Sequence, residues 1–252
     1  MKFLLLSILM SLMFCIQGCS SLGDSSENTA TSKTTVTENP EAEIFIHGDS
    51  RREYILYVPS SYDGSVRMPL LFNFHGNGGN ATEYCNLTNM TSLAENNNVI
   101  LVCPQGLVGG SGTSEWNAYV GEDNKSSTDD FGFVESLVSH LSSEYSVDSN
   151  RVYAVGYSNG GFMSYGLACH KSSLFAAVGS ISGTMIGDLS TCNPSHPFGV
   201  ITFHGTSDFV VPYNGGVPGF ASVANVIDFW VDFNHLSEDS VSTSLNDRGR
   251  TV

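Results

Sequence analysis

Positive charge is scarce in this sequence. Ten Lys and Arg stand against 25 Asp and Glu, a formal net charge of −15 over 252 residues, and a surface of that sign repels phosphate backbones and anionic headgroups. Nucleic acid is therefore not an expected partner, and the acidity reads as a soluble, self-repelling surface. A long apolar run is missing as well. The N-terminal stretch Phe3–Ile16 falls short of the roughly 20 residues that a membrane helix needs, and no stop-transfer flank follows it. No segment repeats internally. No metal-ligand spacing recurs, so no metal is expected; a Cys/Cys/His set using His170 is the one metal alternative the cysteines offer. No organic cofactor is expected either.

What the N-terminus does carry is an export signal: Met1-Lys2, the short apolar run, and then Ile16-Gln17-Gly18-Cys19. That tetrapeptide resembles the bacterial lipobox, in which the cysteine is lipidated and becomes the mature N-terminus, so Cys19 is the candidate lipidation site. An ordinary signal peptide with an incidental cysteine is the alternative. Residues 20–41 are polar and too poor in apolar side chains to fold, as befits a tether. Membrane contact is expected only through this lipid, with the domain exported, lipid-anchored at an outer membrane or cell surface, or secreted.

Four cysteines remain in a compartment that permits disulfides. Three connectivities are open, and chain proximity favours Cys85–Cys103 with Cys169–Cys192.

Residues 42–236 read as one α/β domain and 237–252 as an irregular tail. Glu43–Ile46 and Glu53–Val58 suggest an antiparallel pair, while Pro69–Phe74 and Val99–Cys103 are apolar runs typical of strands covered on both faces. Between those runs Leu87, Met90, Leu93 and Ala94 repeat at helical spacing, which makes a βαβ unit. After a Gly/Ser-rich loop over 106–128, Asp129 or Asp130 caps a helix with the stripe Phe133, Val134, Leu137, Val138, Leu141, Tyr145. Buried strands are expected near Arg151–Val155, Ala176–Ile181 and Phe198–Phe203, and a helix through Val223–Val231. The sheet is expected to be mainly parallel, with helices on both faces and one monomeric domain.

Gly156-Tyr157-Ser158-Asn159-Gly160 lies between an expected strand and an expected helix. This is the context of a nucleophile elbow, where glycines let a strained turn expose the serine above the sheet. His75-Gly76-Asn77-Gly78-Gly79 follows another strand, and backbone N–H groups of Gly76 and Asn77 with that of Asn159 are the candidate oxyanion hole. His75 is read as shaping this turn rather than as a base. His204-Gly205-Thr206-Ser207-Asp208 follows a third strand, and Asp208 comes after Ser158 in the order this chemistry uses, so it is the candidate triad acid. Trp116 and Asn117, on the 106–128 loop, and Tyr157 are candidate substrate contacts.

These segments, together with Asp129-Asp130-Phe131-Gly132-Phe133, Leu167-Ala168-Cys169 and Val211-Pro212-Tyr213, resemble the polyhydroxybutyrate depolymerase esterases and the related feruloyl and acetylxylan esterases. The resemblance runs from about residue 43 to about 230. It implies an α/β-hydrolase fold and cleavage of polymer-linked or aryl esters (hydroxyalkanoate, feruloyl or acetyl) outside the cytoplasm.

The departure from that family is at the end. Members continue into a last strand and helix and a glycine-rich loop with the general-base histidine, whereas the only histidine after Asp208 here is His235. His235 is thus a weak candidate base, the expectation is a chain shortened at its C-terminus with the base absent, and such a chain is nearly inactive. A serine peptidase of the same fold and a surface-tethered binding protein without catalysis remain alternatives.

Overall fold

In a computed structural model the described residues are 41–119, 128–197, 199–237, 244–245 and 250–251. Cys19 and the expected tether, apart from Glu41, lie outside them. In chain order the elements are β1 (Ala42–His47), β2 (Ser50–Tyr57), β3 (Met68–Phe74), α1 (Ala81–Leu87), α2 (Met90–Asn97), β4 (Ile100–Pro104), β5 (Leu107–Val108), β6 (Ser114–Glu115) and α3 (Asp130–Glu144). They continue with β7 (Val147–Tyr157), α4 (Asn159–His170), β8 (Ala177–Ile181), β9 (Gly199–Phe203), α5 (Val223–Phe233), β10 (Ser244–Leu245) and β11 (Arg250–Thr251).

Seven strands form one sheet in the order β1-β2-β4-β3-β7-β8-β9. The first two junctions are antiparallel and the other four parallel, the α/β-hydrolase pattern. Leu70, Phe72, Ile100 and Val102 point to the face covered by α3, α4 and α5. Ile55, Leu101 and Cys103 point to the opposite face, against Ala81 and Cys85 of α1 and Ala94 of α2. The alternation of apolar side chains along central strands is thus satisfied on both sides.

Both expected disulfides are present, Cys85–Cys103 joining α1 to β4 and Cys169–Cys192 joining the end of α4 to the β8–β9 connection. The Cys/Cys/His alternative falls with them: Cys169 is consumed in a disulfide, and His170 Nε2 lies 3.0 Å from the Tyr119 carbonyl. No helix among the described residues is long and apolar enough to cross a membrane.

Two local expectations are corrected. The single helix through Leu87 and Ala94 is two helices, because Asn89 adopts φ 51° and breaks the ladder. Its apolar positions split accordingly, with Ala94 buried and Leu87 exposed at the end of α1. Within the expected irregular tail, β10 pairs antiparallel with β11.

Among the described residues nothing pairs with the outer edge of β9, and no helix covers β7–β9 on the α1/α2 side. Tyr157, Ile181 and Phe203 stand in register across that surface, with Ile201 one step back on β9, and all four are exposed. An apolar edge of this kind is a template for intermolecular pairing. Ile201→Lys is accordingly expected to slow aggregation, seen by light scattering over hours at fixed concentration, while changing stability by less than about 0.5 kcal/mol, as exposed substitutions do. An unchanged aggregation rate would show that this edge is not where molecules meet.

Candidate active site

β7 ends at Tyr157 and α4 begins at Asn159, leaving Ser158 alone in the turn with φ 51° and ψ −117°. For a residue with a Cβ this conformation costs roughly 1–3 kcal/mol and persists only when its surroundings over-determine it. They do so here. Ser158 N–H donates to the Ile181 carbonyl at 2.8 Å, and the Ser158 carbonyl accepts from Phe162 N–H at 3.0 Å.

The flanking glycines are required by space. A Cβ on Gly156 would lie 2.1 Å from the Gly160 carbonyl oxygen, and one on Gly160 would lie 2.2 Å from that of Phe74 and 2.6 Å from that of His75. Backbone atoms cannot yield as a side-chain tip can, so strand, turn and the loop after β3 close on each other only with glycine at both positions. The hydroxyl therefore stands at the carboxyl ends of the parallel strands and at the positive end of α4, whose dipole favours developing negative charge.

Gly76 comes against this turn. A Cβ there would sit 3.1 Å from the Tyr157 ring and 3.5 Å from the Ser158 Cβ. His75 shapes the loop: it is fully buried, its Nδ1 donates to the Gly76 carbonyl at 2.7 Å, and its Nε2 accepts from Gly106 N–H at 3.0 Å. Burial holds its pKa below the usual histidine range. A neutral imidazole with both nitrogens engaged is a strut, as its place beside the loop led us to expect.

Asp208 follows β9. Its Oδ1 accepts from the backbone N–H groups of Val210 and Val211, each at 2.9 Å, and the Val211 bond leads in holding the carboxyl below the usual carboxylate range. Oδ2 is 3.8 Å from His204 Nε2, whose proton is given to the Val211 carbonyl at 2.8 Å. Ser158, Asp208 and Tyr157 line one cleft of about 450 Å³ together with Ser182, Gly205, Ser207, Phe209, Val210 and Val211. None of the chain's seven histidines is among these residues. His235 is exposed at the end of α5, between Asn234 and Leu236. Those two line a different cavity, which reaches Pro197 and Gly199 at the amino end of β9, away from the serine.

Trp116 and Asn117 do not face the cleft, contrary to expectation. Both are buried. Trp116 packs edge-on against Phe74, and Asn117 N–H donates to Asp130 Oδ2 while its amide donates to the Thr128 carbonyl. A tryptophan on a Gly/Ser-rich segment reads as a surface contact, but residues 115–118 are buried, with Asn117 N–H on Asp130 of a buried Arg52–Asp130 ion pair. No local pattern signals that pair, since an arginine on a strand normally faces water. Ser182, Phe209 and Val210 are cleft residues that sequence reasoning missed. The one available signal was the apolar pair Phe209-Val210 directly after Asp208.

Comparison with known proteins places the chain among esterases. A probable feruloyl esterase C of Aspergillus clavatus is 33% identical over 172 residues, covering 66% of this chain and 58% of that protein. Feruloyl esterase B of Piromyces equi is 33% identical over 169 residues, 66% and 31% respectively. The chain thus spans less than two thirds of the length of these curated relatives. Among solved structures, a thermostable esterase superposes with a TM-score of 0.60 at 19% identity over 78% of this chain and 52% of that one. A Bacillus cereus carboxylesterase does so at 0.51 and 19% identity over 73% and 81%; both speak to the fold. The sequence profile of the esterase PHB depolymerase family matches residues 52–212, and the chain belongs to that family.

Proposed function

We propose that the chain carries the core of a serine carboxylic ester hydrolase that forms an acyl-enzyme on Ser158. The observation that carries this reading is the strained Ser158 turn, with Gly76 packed against it and Asp208 lining the same cleft. Ser158 Oγ attacks the ester carbonyl, its proton passes to an imidazole seated beside Asp208, a group that none of the seven histidines of this sequence brings to the cleft, and the oxyanion is held by the N–H groups of Gly76 or Asn77 and of Asn159. The proton returns to the departing alcohol, and water then releases the acid. Asp208, ionised and anchored through Oδ1, has Oδ2 to orient an imidazolium.

The substrate class is polymer-linked or aryl ester: hydroxyalkanoate, feruloyl or acetyl. The feruloyl esterase relatives support it, as does Tyr157 at the cleft, an aromatic surface for an aryl group. Methyl ferulate, acetylated xylan and a hydroxybutyrate oligomer, run beside an aminoacyl arylamide, test the assignment. In imidazole buffer, ester turnover without arylamide turnover is expected; the reverse would make the protein a peptidase.

Because no histidine lines the cleft, a second reading is a binding protein that keeps the pocket without turnover. Ligand affinity unchanged by Ser158→Ala, with no turnover under any condition, would favour it. Two disulfides fit an oxidising compartment, and we propose export with a lipid on Cys19. Mass spectrometry of the mature N-terminus is expected to find acylated Cys19; a free N-terminus beyond it would make the protein plainly secreted.

A further inference from the structure

We propose that Trp116 is a positioning residue that locks together the two halves of the oxyanion hole before any substrate arrives. The inference rests on the esterase reading and extends it to a residue that touches neither substrate nor reacting atoms.

The two sets of donors come from separate elements, the loop after β3 and the first residue of α4, and Trp116 is bonded to both. Its backbone N–H donates to Asn159 Oδ1 at 2.7 Å, and its backbone carbonyl accepts from Asn159 Nδ2 at 3.1 Å. This two-point clamp fixes the residue that follows the serine. Its indole Nε1–H donates to the His75 carbonyl at 2.9 Å, which fixes the peptide leading directly into Gly76. One side chain and its own backbone thus span the hole.

The brace is buried and continues outward. Trp116 is 1% exposed and Asn159 5%, so these bonds are free of competition from water and losing one leaves a buried polar group unpaired. On the loop side, Gly78 N–H donates to the Ser114 carbonyl at 2.7 Å, Ser114 Oγ donates to the Gly79 carbonyl at 2.6 Å, and Gln105 Nε2 meets His75 Nε2 at 3.1 Å. On the far side Asn117 N–H is held by Asp130, itself paired with Arg52. Donors aimed in advance need no reorganisation during reaction, and that is where such holes gain their effect.

The test compares Trp116→Phe with a protein carrying benzothienylalanine at 116, which keeps the indole's shape and lacks the N–H. Both are assayed with a small aryl ester in imidazole buffer, against Ser158→Ala as background, and by hydrogen exchange. Expected is a fall in kcat of about 10- to 100-fold with KM within about twofold, because an interaction used in the transition state is weakened. Exchange at Gly76–Gly79 is expected to quicken at least tenfold while β3 stays protected. Unchanged loop exchange overturns the proposal whatever the turnover does. Loosened exchange with unchanged kcat, or kcat and KM moving equally, overturns it too. If the unsubstituted chain shows no Ser158-dependent turnover, the esterase reading fails, and the claim that Trp116 positions an oxyanion hole falls with it even where the loop loosens.

Discussion

Imidazole added to the purified chain is expected to raise hydrolysis of a small aryl ester about tenfold or more above the rate of Ser158→Ala protein in the same buffer. Ser158 and Asp208 line one cleft of about 450 Å³ in which no histidine takes part, so a diffusible imidazole has both space and an acceptor. A positioned base contributes roughly 10²- to 10⁴-fold, of which a small molecule recovers part. The control must be made this way because the members of a triad act as a unit. Without a base, the oxyanion hole and binding alone leave a residual of about 10³- to 10⁴-fold over water, and Ser158→Ala then changes turnover little. Asp208→Asn is expected to remove most of the increase. The increase should also fade below about pH 6.5, where imidazole protonates, while Asp208, held down first by the Val211 N–H, stays ionised. An increase of equal size in Ser158→Ala protein would mean imidazole acts on the ester unaided.

Arg52→Met is expected to cost about 3–5 kcal/mol of stability, the usual penalty for stranding one partner of a buried ion pair. Arg52 is 1% exposed, donates to Asp130 Oδ1 at 2.7 Å and lies 3.9 Å over the Phe133 ring. Its loss leaves Asp130 fully buried, with Asn117 N–H as its remaining described donor. Burial already pushes the Asp130 carboxyl up, against the opposing pull of Arg52. Without the arginine it rises further. A folded-state pKa above the unfolded one means the carboxylate penalises the fold at high pH and ceases to as pH falls through the folded value. The deficit of Arg52→Met, measured by urea unfolding, is therefore expected to be largest at neutral pH and to shrink on acidification. Adding Asp130→Leu should recover much of it. A deficit below 1 kcal/mol, or one independent of pH, would mean the pair is not what holds this segment.

The fold was legible because its central strands are apolar on both faces and its helices carry stripes, patterns that follow directly from layer packing. The elbow was legible for a steric reason, since glycine at 156 and 160 is the one residue that avoids collisions at about 2 Å with backbone. The role of Trp116 was not legible. Its place in a Gly/Ser-rich stretch suggests a surface loop, and nothing local announces that Arg52 and Asp130, 78 residues apart, meet beneath it. The split at Asn89 was hidden for a similar reason: side-chain spacing of 3.6 continues across a left-handed residue that interrupts the backbone ladder.

The most direct test of the account is to treat the chain with a fluorophosphonate, with and without imidazole, and to map the adduct by peptide mass spectrometry. One adduct is expected, on Ser158, formed faster with imidazole and absent in Ser158→Ala. An adduct on another serine with Ser158 unmodified, or no adduct in either buffer, would contradict it.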